Sequence, residues 1–284
     1  MQDYYYFLLE GHAKPFGYVH KSTIEQVDWS EYWRLDNDNR LLTLAAVDDL
    51  EERSRRVNQT LQKAHQAGKL QRWRGWTQES FDVDGPIGER VLNMNLLGAD
   101  ILGAVVSGVT LIAWTRTDEG RQYWLQKRSQ VKVHHPRKLE TTASGGIQLN
   151  ERPIDAMIRE AREEASNPED FAKANLVSCD TISYHIAVNH GGSPGSCPHV
   201  QYTYELELPP GIAPRPCDNE VDDFVKMSEH EVREALFGDE FKMIVGAIWL
   251  GHFCRHGILK PEDEVNYKEI CSRLHRQHNM SIPS

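Results

Sequence analysis

Three glutamates crowded into the last turns of one short segment restrict this chain more than any other feature. The segment reads Gly145-Gly146-Ile147-Gln148-Leu149-Asn150-Glu151-Arg152-Pro153-Ile154-Asp155-Ala156-Met157-Ile158-Arg159-Glu160-Ala161-Arg162-Glu163-Glu164-Ala165. Pro153 suits a first helical turn, where its missing N–H costs nothing. Ile154, Met157, Ile158 and Ala161 follow at helical spacing, which predicts a helix over 153–165 with one apolar face. Glu160, Glu163 and Glu164 lie at i, i+3 and i+4, so their carboxylates share another face. Like charges this close repel, and the macrodipole disfavours anions toward a helix C-terminus. A bound cation would neutralise them, and a cluster of hard oxygen ligands suits Mg²⁺ or Mn²⁺, ions that also hold substrate phosphates. Arg159 and Arg162 are placed to pair with these carboxylates. Gly145 and Gly146 let the backbone approach a ligand closely. The plainer reading is a solvated acidic face carrying one Arg159/Glu163 pair.

The surroundings of this segment predict a mixed α/β chain. Val105 to Thr115 and Gln122 to Lys127 read as strands about the polar turn Thr117-Asp118-Glu119-Gly120, followed by a basic loop from Arg128 to Lys138. Strands are expected near Asp180 to Val188 and Val200 to Leu208, with Gly191 to Gly195 a loop between them. Two helices are expected to close the chain, Ser228 to Leu236 with Ser228 as N-cap and Glu231 three residues on, and Phe241 to His256. This order predicts an α/β sandwich over 104–284. Residues 1–103 read as a separate α+β domain. It has short strands at Tyr4 to Leu9 and Gly17 to His20, a charged helix from Asp48 to Lys69, and aromatic bulk at Trp73, Trp76 and Phe81.

Composition narrows the functions open to such a chain. Its 284 residues carry 42 Asp+Glu against 32 Lys+Arg, a net charge of −10, which argues against a broad nucleic-acid surface. No apolar run reaches the ~18 residues of a membrane helix. The N-terminus shows neither a secretory signal nor an Arg-rich presequence, so a cytoplasmic protein is expected. The five cysteines form no C-x-x-C pair, against a disulfide framework or a cysteine zinc site. His252 and His256 are four apart on an expected helix, and a structural role is favoured for them over a shared metal.

Gly145, Glu151, Arg159-Glu160 and Glu163-Glu164 stand at the spacings of the Nudix box, G-x5-E-x7-R-E-U-x-E-E-x-G-U, and the segment resembles it. Ser166 and Asn167 replace the last glycine and aliphatic residue, and Ala161 is a small residue at the first U. The resemblance implies a Nudix hydrolase, an α/β/α sandwich that cleaves a diphosphate linked to another group. It implies that Glu160, Glu163 and Glu164 hold Mg²⁺ or Mn²⁺, that Arg159 orients a glutamate, and that Glu151 supports the loop. It leaves the general base open between the box and a later loop, where Glu220 is the candidate.

Further runs resemble one branch of that family: Lys127-Arg128-Ser129, Lys132, Pro136-Arg137-Lys138-Leu139-Glu140, Ser144-Gly145-Gly146, Tyr204-Glu205-Leu206-Glu207-Leu208-Pro209, Pro214-Arg215-Pro216, Asn219-Glu220-Val221 and Arg255-His256-Gly257. This is the fungal and plant branch related to the Nudix region associated with thiamine pyrophosphokinase. It implies hydrolysis of thiamine diphosphate, and preferentially of its oxy and oxo forms, to a monophosphate and inorganic phosphate. Arg137, Glu140 and Ser144 depart from the branch pattern, which has Gly, Asp and Ala there. No kinase domain is expected after the box.

A diphosphate needs cationic partners, and Arg128, Lys132, Arg137 and Lys138 share one loop region of an acidic chain, with the backbone of Gly145 and Gly146 nearby. Trp76 and Glu79 are weaker candidates to face a cationic ring. The partner expected is thus a small-molecule diphosphate, bound by a monomer or homodimer, with no nucleic acid and no membrane. The alternatives are an ADP-ribose or nucleoside-diphosphate-sugar pyrophosphatase, and a non-catalytic Nudix module. A diphosphate isomerase, which needs a positioned cysteine, is disfavoured because no cysteine precedes the box.

Overall fold

The computed structural model describes residues 3–29, 31–69, 76, 79–132, 135–190, 193–217, 219–276 and 280. The first part of the chain builds two small sheets. It runs β1 (Tyr4–Leu9), β2 (Gly17–His20), α1 (Lys21–Gln26), β3 (Trp33–Asp36), β4 (Leu41–Leu44) and α2 (Leu50–Gln66). The strand order is β2-β1-β4-β3, with β1 and β4 parallel. Phe7, Leu9, Leu42 and Leu44 alternate onto the face that covers Val57, Leu61 and Ala64 of α2. Asp49 caps α2 by accepting the Glu52 N–H at 2.9 Å.

A hairpin follows, of β5 (Ser80–Asp84) and β6 (Arg90–Asn95), and then α3 (Leu96–Leu102). The sequence points here only to aromatic bulk. Phe81 lies buried in β5, and Trp76 packs against the same core, while Trp73 lies outside the described residues. Gly103 ends α3 with φ +60°, and a Cβ there would stand 2.2 Å from the Tyr18 carbonyl oxygen. Only glycine fits this joint, where the first sheet meets the rest of the chain.

Beyond Gly103 come β7 (Val106–Thr117), β8 (Gly120–Arg128), β9 (Leu139–Glu140), β10 (Ala143–Gly146), α4 (Pro153–Ala165) and α5 (Glu169–Asn175). They are followed by β11 (Val177–His190), β12 (Ser193–Glu207), β13 (Val221–Ser228), α6 (Glu229–Phe237), α7 (Val245–Arg255) and α8 (Tyr267–Leu274). The main sheet is ordered β11-β12-β7-β8-β13, with β10 beside β7 and β9 beside β8. Strand alternation gives it two faces. Val109, Leu111 and Ala113 of β7 meet Ala156, Met157 and Ala161 of α4, while Ile112 and Trp114 meet Val232, Ile248 and Trp249 of α6 and α7. The result is an α/β/α sandwich with a separate N-terminal α+β unit. Each large apolar side chain buried on these faces contributes roughly 1.5–3 kcal/mol.

Some boundaries differ from those expected. The loop read at 191–195 is in part strand, because Pro194 and Gly195 pair with Asn189 and Val188 of β11 and the Gly195 carbonyl accepts the Tyr4 hydroxyl at 3.2 Å. Gly191 and Gly192 lie outside the described residues. The helix expected from Phe241 begins at Val245, since Phe241 instead bridges to Leu139. Ser228 caps α6 in a full capping box with Glu231. Among the described residues no helix is long and apolar enough to cross a membrane.

Candidate active site

The box forms where β10 hands the chain to α4. Pro153 opens the helix, and Ala156, Met157 and Ala161 press it onto the sheet. That packing fixes the phase of the helix and turns Glu160 and Glu164 toward β10. The Glu164 carboxylate is buried, accepting the Ser144 backbone N–H at 2.7 Å and the Gln126 amide at 3.3 Å. Glu160 lies against Gly145, where a Cβ would stand 1.9 Å from its Oε1. The glycine that opens the motif thus makes room for a carboxylate.

Arg159 ties the box together. Its Nε and Nη2 donate to the two oxygens of Glu151 at 2.8 and 2.9 Å, a bidentate pair. Nη1 donates to Glu160 at 2.6 Å and Glu163 at 3.4 Å, and Nη2 also reaches the Gly146 carbonyl at 3.0 Å. Arg162 donates to Glu163 at 2.8 Å. Glu163 is the most open of the set, with 44% of its side chain exposed.

The electrostatics of this cluster suit a divalent cation. Burial raises Glu160, and the charges of Glu163 and Glu220 add to that rise against the pull of Arg159. Burial pushes Glu164 well above the usual carboxylate range, with Glu140 and Glu160 adding repulsion. Burial would raise Glu151 too, but the Arg159 hydrogen bonds override it and hold it low. Two carboxylates held up by desolvation and mutual repulsion, with Arg159 fixing the aim of Glu160 and the Ser144 N–H that of Glu164, form a hard-oxygen set of the kind Mg²⁺ and Mn²⁺ take.

The departures from the family pattern have local causes. Ser166 ends α4 at φ +53°, the left-handed position glycine usually takes, and its Oγ donates to the Arg215 carbonyl at 2.9 Å. Arg137 stands at φ +63°, also a conformation glycine enters freely. Glu140 and Ser144 depart together: the Ser144 hydroxyl donates to Glu140 Oε1 at 2.9 Å, where Lys242 also donates at 2.8 Å. Burial would raise Glu140, but Lys242 and Arg128 outweigh it and keep the pKa low.

The structure separates the four basic residues of the loop. Lys132 pairs with Glu220, and the Glu220 charge acts on Glu160, so both stand by the box. Arg128 is buried against Glu140 and the His135 carbonyl. Arg137 and Lys138 instead line a groove of about 500 Å³ with Lys127, Val225 and Asp239, and no box residue lines it. Alternation along β8 explains the split: Gln126 faces Glu164, so Lys127 faces the other side. Trp76 packs in the N-terminal core, and the Glu79 carbonyl accepts the Leu96 N–H.

A second polar cluster lies at α7, which sequence spacing anticipated only through its histidines. Glu205 of β12 meets His252 Nδ1 at 2.8 Å and His256 Nε2 at 2.8 Å, and accepts from Arg255 Nη2 at 2.8 Å. The Tyr123 hydroxyl meets His252 Nε2 at 3.0 Å. The donor atoms of Glu205, His252 and His256 lie within 4.8 Å of one another. Arg255 already neutralises the carboxylate, so the cluster acts as a lock between α7 and the sheet.

Residues 107–244 match the NUDIX domain, and residues 1–103 match a domain of unknown function, DUF4743. The chain is 26% identical over 287 aligned positions to the uncharacterised protein YJR142W of Saccharomyces cerevisiae, covering 96% of this chain and 83% of that one. It is 24% identical to Nudix hydrolase 24, chloroplastic, of Arabidopsis thaliana, covering 91% of this chain and 69% of that one. The crystal structure of DR0079 from Deinococcus radiodurans aligns with a TM-score of 0.46 at 20% identity, covering 60% of this chain and 96% of that one.

Proposed function

We propose that this chain, whose residues 107–244 match the NUDIX domain, removes the terminal phosphate from thiamine diphosphate-type substrates, damaged oxy and oxo forms included. That domain and the Nudix hydrolases among its relatives make it a hydrolase of pyrophosphate-containing substrates. The observation that carries the metal-dependent reading is the packing of Glu160 against Gly145 beside the buried Glu164. The choice of substrate is supported by the motifs outside the box.

A Mg²⁺ or Mn²⁺ ion held by Glu160, Glu163 and Glu164 would polarise the phosphoryl oxygens and acidify water. Arg159 keeps Glu160 and Glu163 aimed. Lys132 turns from Glu220 to a phosphate oxygen of the substrate, and Glu220 takes the proton of the attacking water. Water oxygen bonds to the terminal phosphorus, the bridging P–O bond breaks, and the monophosphate leaves.

The test is a panel of thiamine diphosphate, oxythiamine diphosphate, ADP-ribose and a dinucleotide with Mg²⁺ or Mn²⁺, products resolved by chromatography. Inorganic phosphate and a thiamine-type monophosphate, both lost in Glu163→Gln and Glu164→Gln, are expected. AMP from ADP-ribose without thiamine-type products would replace the substrate reading with the ADP-ribose one. A folded chain that turns over nothing would overturn the hydrolytic reading.

A further inference from the structure

The β5–β6 hairpin of the N-terminal unit touches the Nudix domain at the loop that carries Glu151. Asp82 Oδ2 accepts the Asn150 backbone N–H at 2.9 Å, and Arg90 donates to the Asn150 side-chain oxygen. Arg90 and Asp82 are themselves paired at 3.3 Å, so the two side chains hold Asn150 as one clamp. Asn150 stands at φ +62°, the left-handed conformation that asparagine enters more readily than most residues other than glycine, and the clamp fixes it there.

From Asn150 the contacts run without a break to the carboxylates. The Gln148 N–H donates to Glu151 Oε2 at 2.9 Å and the Glu151 N–H to the Gln148 carbonyl at 3.1 Å, which closes the loop. Glu151 grips Arg159 through both oxygens, and Arg159 holds Glu160. We infer that Asp82 and Arg90 are positioning residues of the hydrolytic site: the N-terminal domain sets the box loop through Asn150 and thereby tunes divalent-cation binding at Glu160.

This rests on the metal-dependent reading of the box and adds a role for the domain of unknown function in it. Neither residue needs to touch substrate. Asp82 and Arg90 sit in the hairpin ladder opposite Asn93 and Asp84 and make the clamp with their side chains, so side-chain substitutions there leave the backbone pairing of Phe81 with Met94 and Val83 with Leu92.

The test uses the full chain and Mn²⁺ alone, followed by electron paramagnetic resonance, alongside turnover of thiamine diphosphate. Asp82→Ala and Arg90→Met are expected to weaken Mn²⁺ binding about tenfold, the scale of a lost supporting contact at a metal site. They should also speed exchange of the Gln148 amide, which neither residue touches. Asp82→Asn keeps an acceptor and should bind Mn²⁺ nearly as the parent does. Substrate turnover should fall through kcat and the metal requirement, with KM for thiamine diphosphate little changed at saturating Mn²⁺. Mn²⁺ binding within twofold of the parent in both folded variants would overturn the clamp. Weakened Mn²⁺ binding in a chain that ignores thiamine diphosphate would leave the clamp standing and remove only the substrate assignment.

Discussion

Glu164 accepts the Ser144 backbone N–H at 2.7 Å from inside the fold, with only 4% of the residue exposed. A carboxylate so placed is costly to ionise, because burial and the charges of Glu140 and Glu160 all oppose it. Its ionised form is worth keeping only for a cation. Glu164→Gln keeps the shape and an acceptor while removing the charge. Turnover with Mg²⁺ should fall at least about a hundredfold, beyond what loss of a supporting contact costs. The metal-free variant should melt at the parent's Tm or above it. Retained turnover in a folded variant would remove Glu164 from the metal-binding set.

Gly145→Ala probes the neighbouring contact. The new methyl would meet Glu160 Oε1 at 1.9 Å, and the carboxylate, at the end of a flexible side chain, must swing away. The helix and sheet need not move with it. We expect turnover to drop about tenfold or more, as for other displaced metal-site groups, with a Tm shift of only a few degrees. Kinetics that match the parent would show that Glu160 does not need its present position.

Arg159→Lys tests whether a fork, rather than a charge, is required. Lysine cannot make the paired bonds to Glu151 and still reach Glu160. A loss of about tenfold to a hundredfold in kcat is expected. Adding Glu151→Gln should cost little more, because the two residues act as one unit. Independent, multiplying losses in this double-mutant cycle would separate Glu151 from the aim of Arg159.

The box was legible because everything that specifies it is local: a proline start, an apolar stripe and three acids on one helical face. The partition of the basic loop was not. Arg128, Lys132, Arg137 and Lys138 are close in sequence, but alternation along β8 and the positive φ angles of His135 and Arg137 turn the chain so that Lys132 faces Glu220 while Arg137 and Lys138 face a separate groove. Lys132 and Glu220 are 88 positions apart and meet only because β13 pairs with β8. The β5–β6 hairpin did leave a readable signal. Phe81 and Val83 alternate with Ser80, Asp82 and Asp84, and Gly85-Pro86-Ile87-Gly88 is turn chemistry. The two tryptophans just upstream, Trp73 and Trp76, mask it by pointing to bulk packing. Only the fold shows that Asp82 reaches Asn150.

The Glu205 lock gives the chain a pH dependence of definite sign. Burial would raise Glu205, but His252, Arg255 and His256 outweigh it and hold its pKa far below the 4.5 of a free glutamate. A depressed carboxylate contributes stability that is fully present above the unfolded pKa and is lost as pH falls toward the folded one. Burial lowers His252 from 6.5, so as pH drops its proton is also taken up first by the unfolded chain, in the same direction. The parent should therefore lose stability steadily from about pH 6.5 down through 4.5 and below. Glu205→Gln strands Arg255 in a partly buried setting and should cost about 3 kcal/mol at pH 7, as broken buried pairs do. Urea melts at pH 7, 5 and 3.5 should show the gap between parent and variant narrowing below about pH 4.5, where the unfolded parent takes up a proton that its folded Glu205 does not. A gap that stays constant across that range would mean that α7 is held to the sheet by its apolar contacts and not by the charge on Glu205.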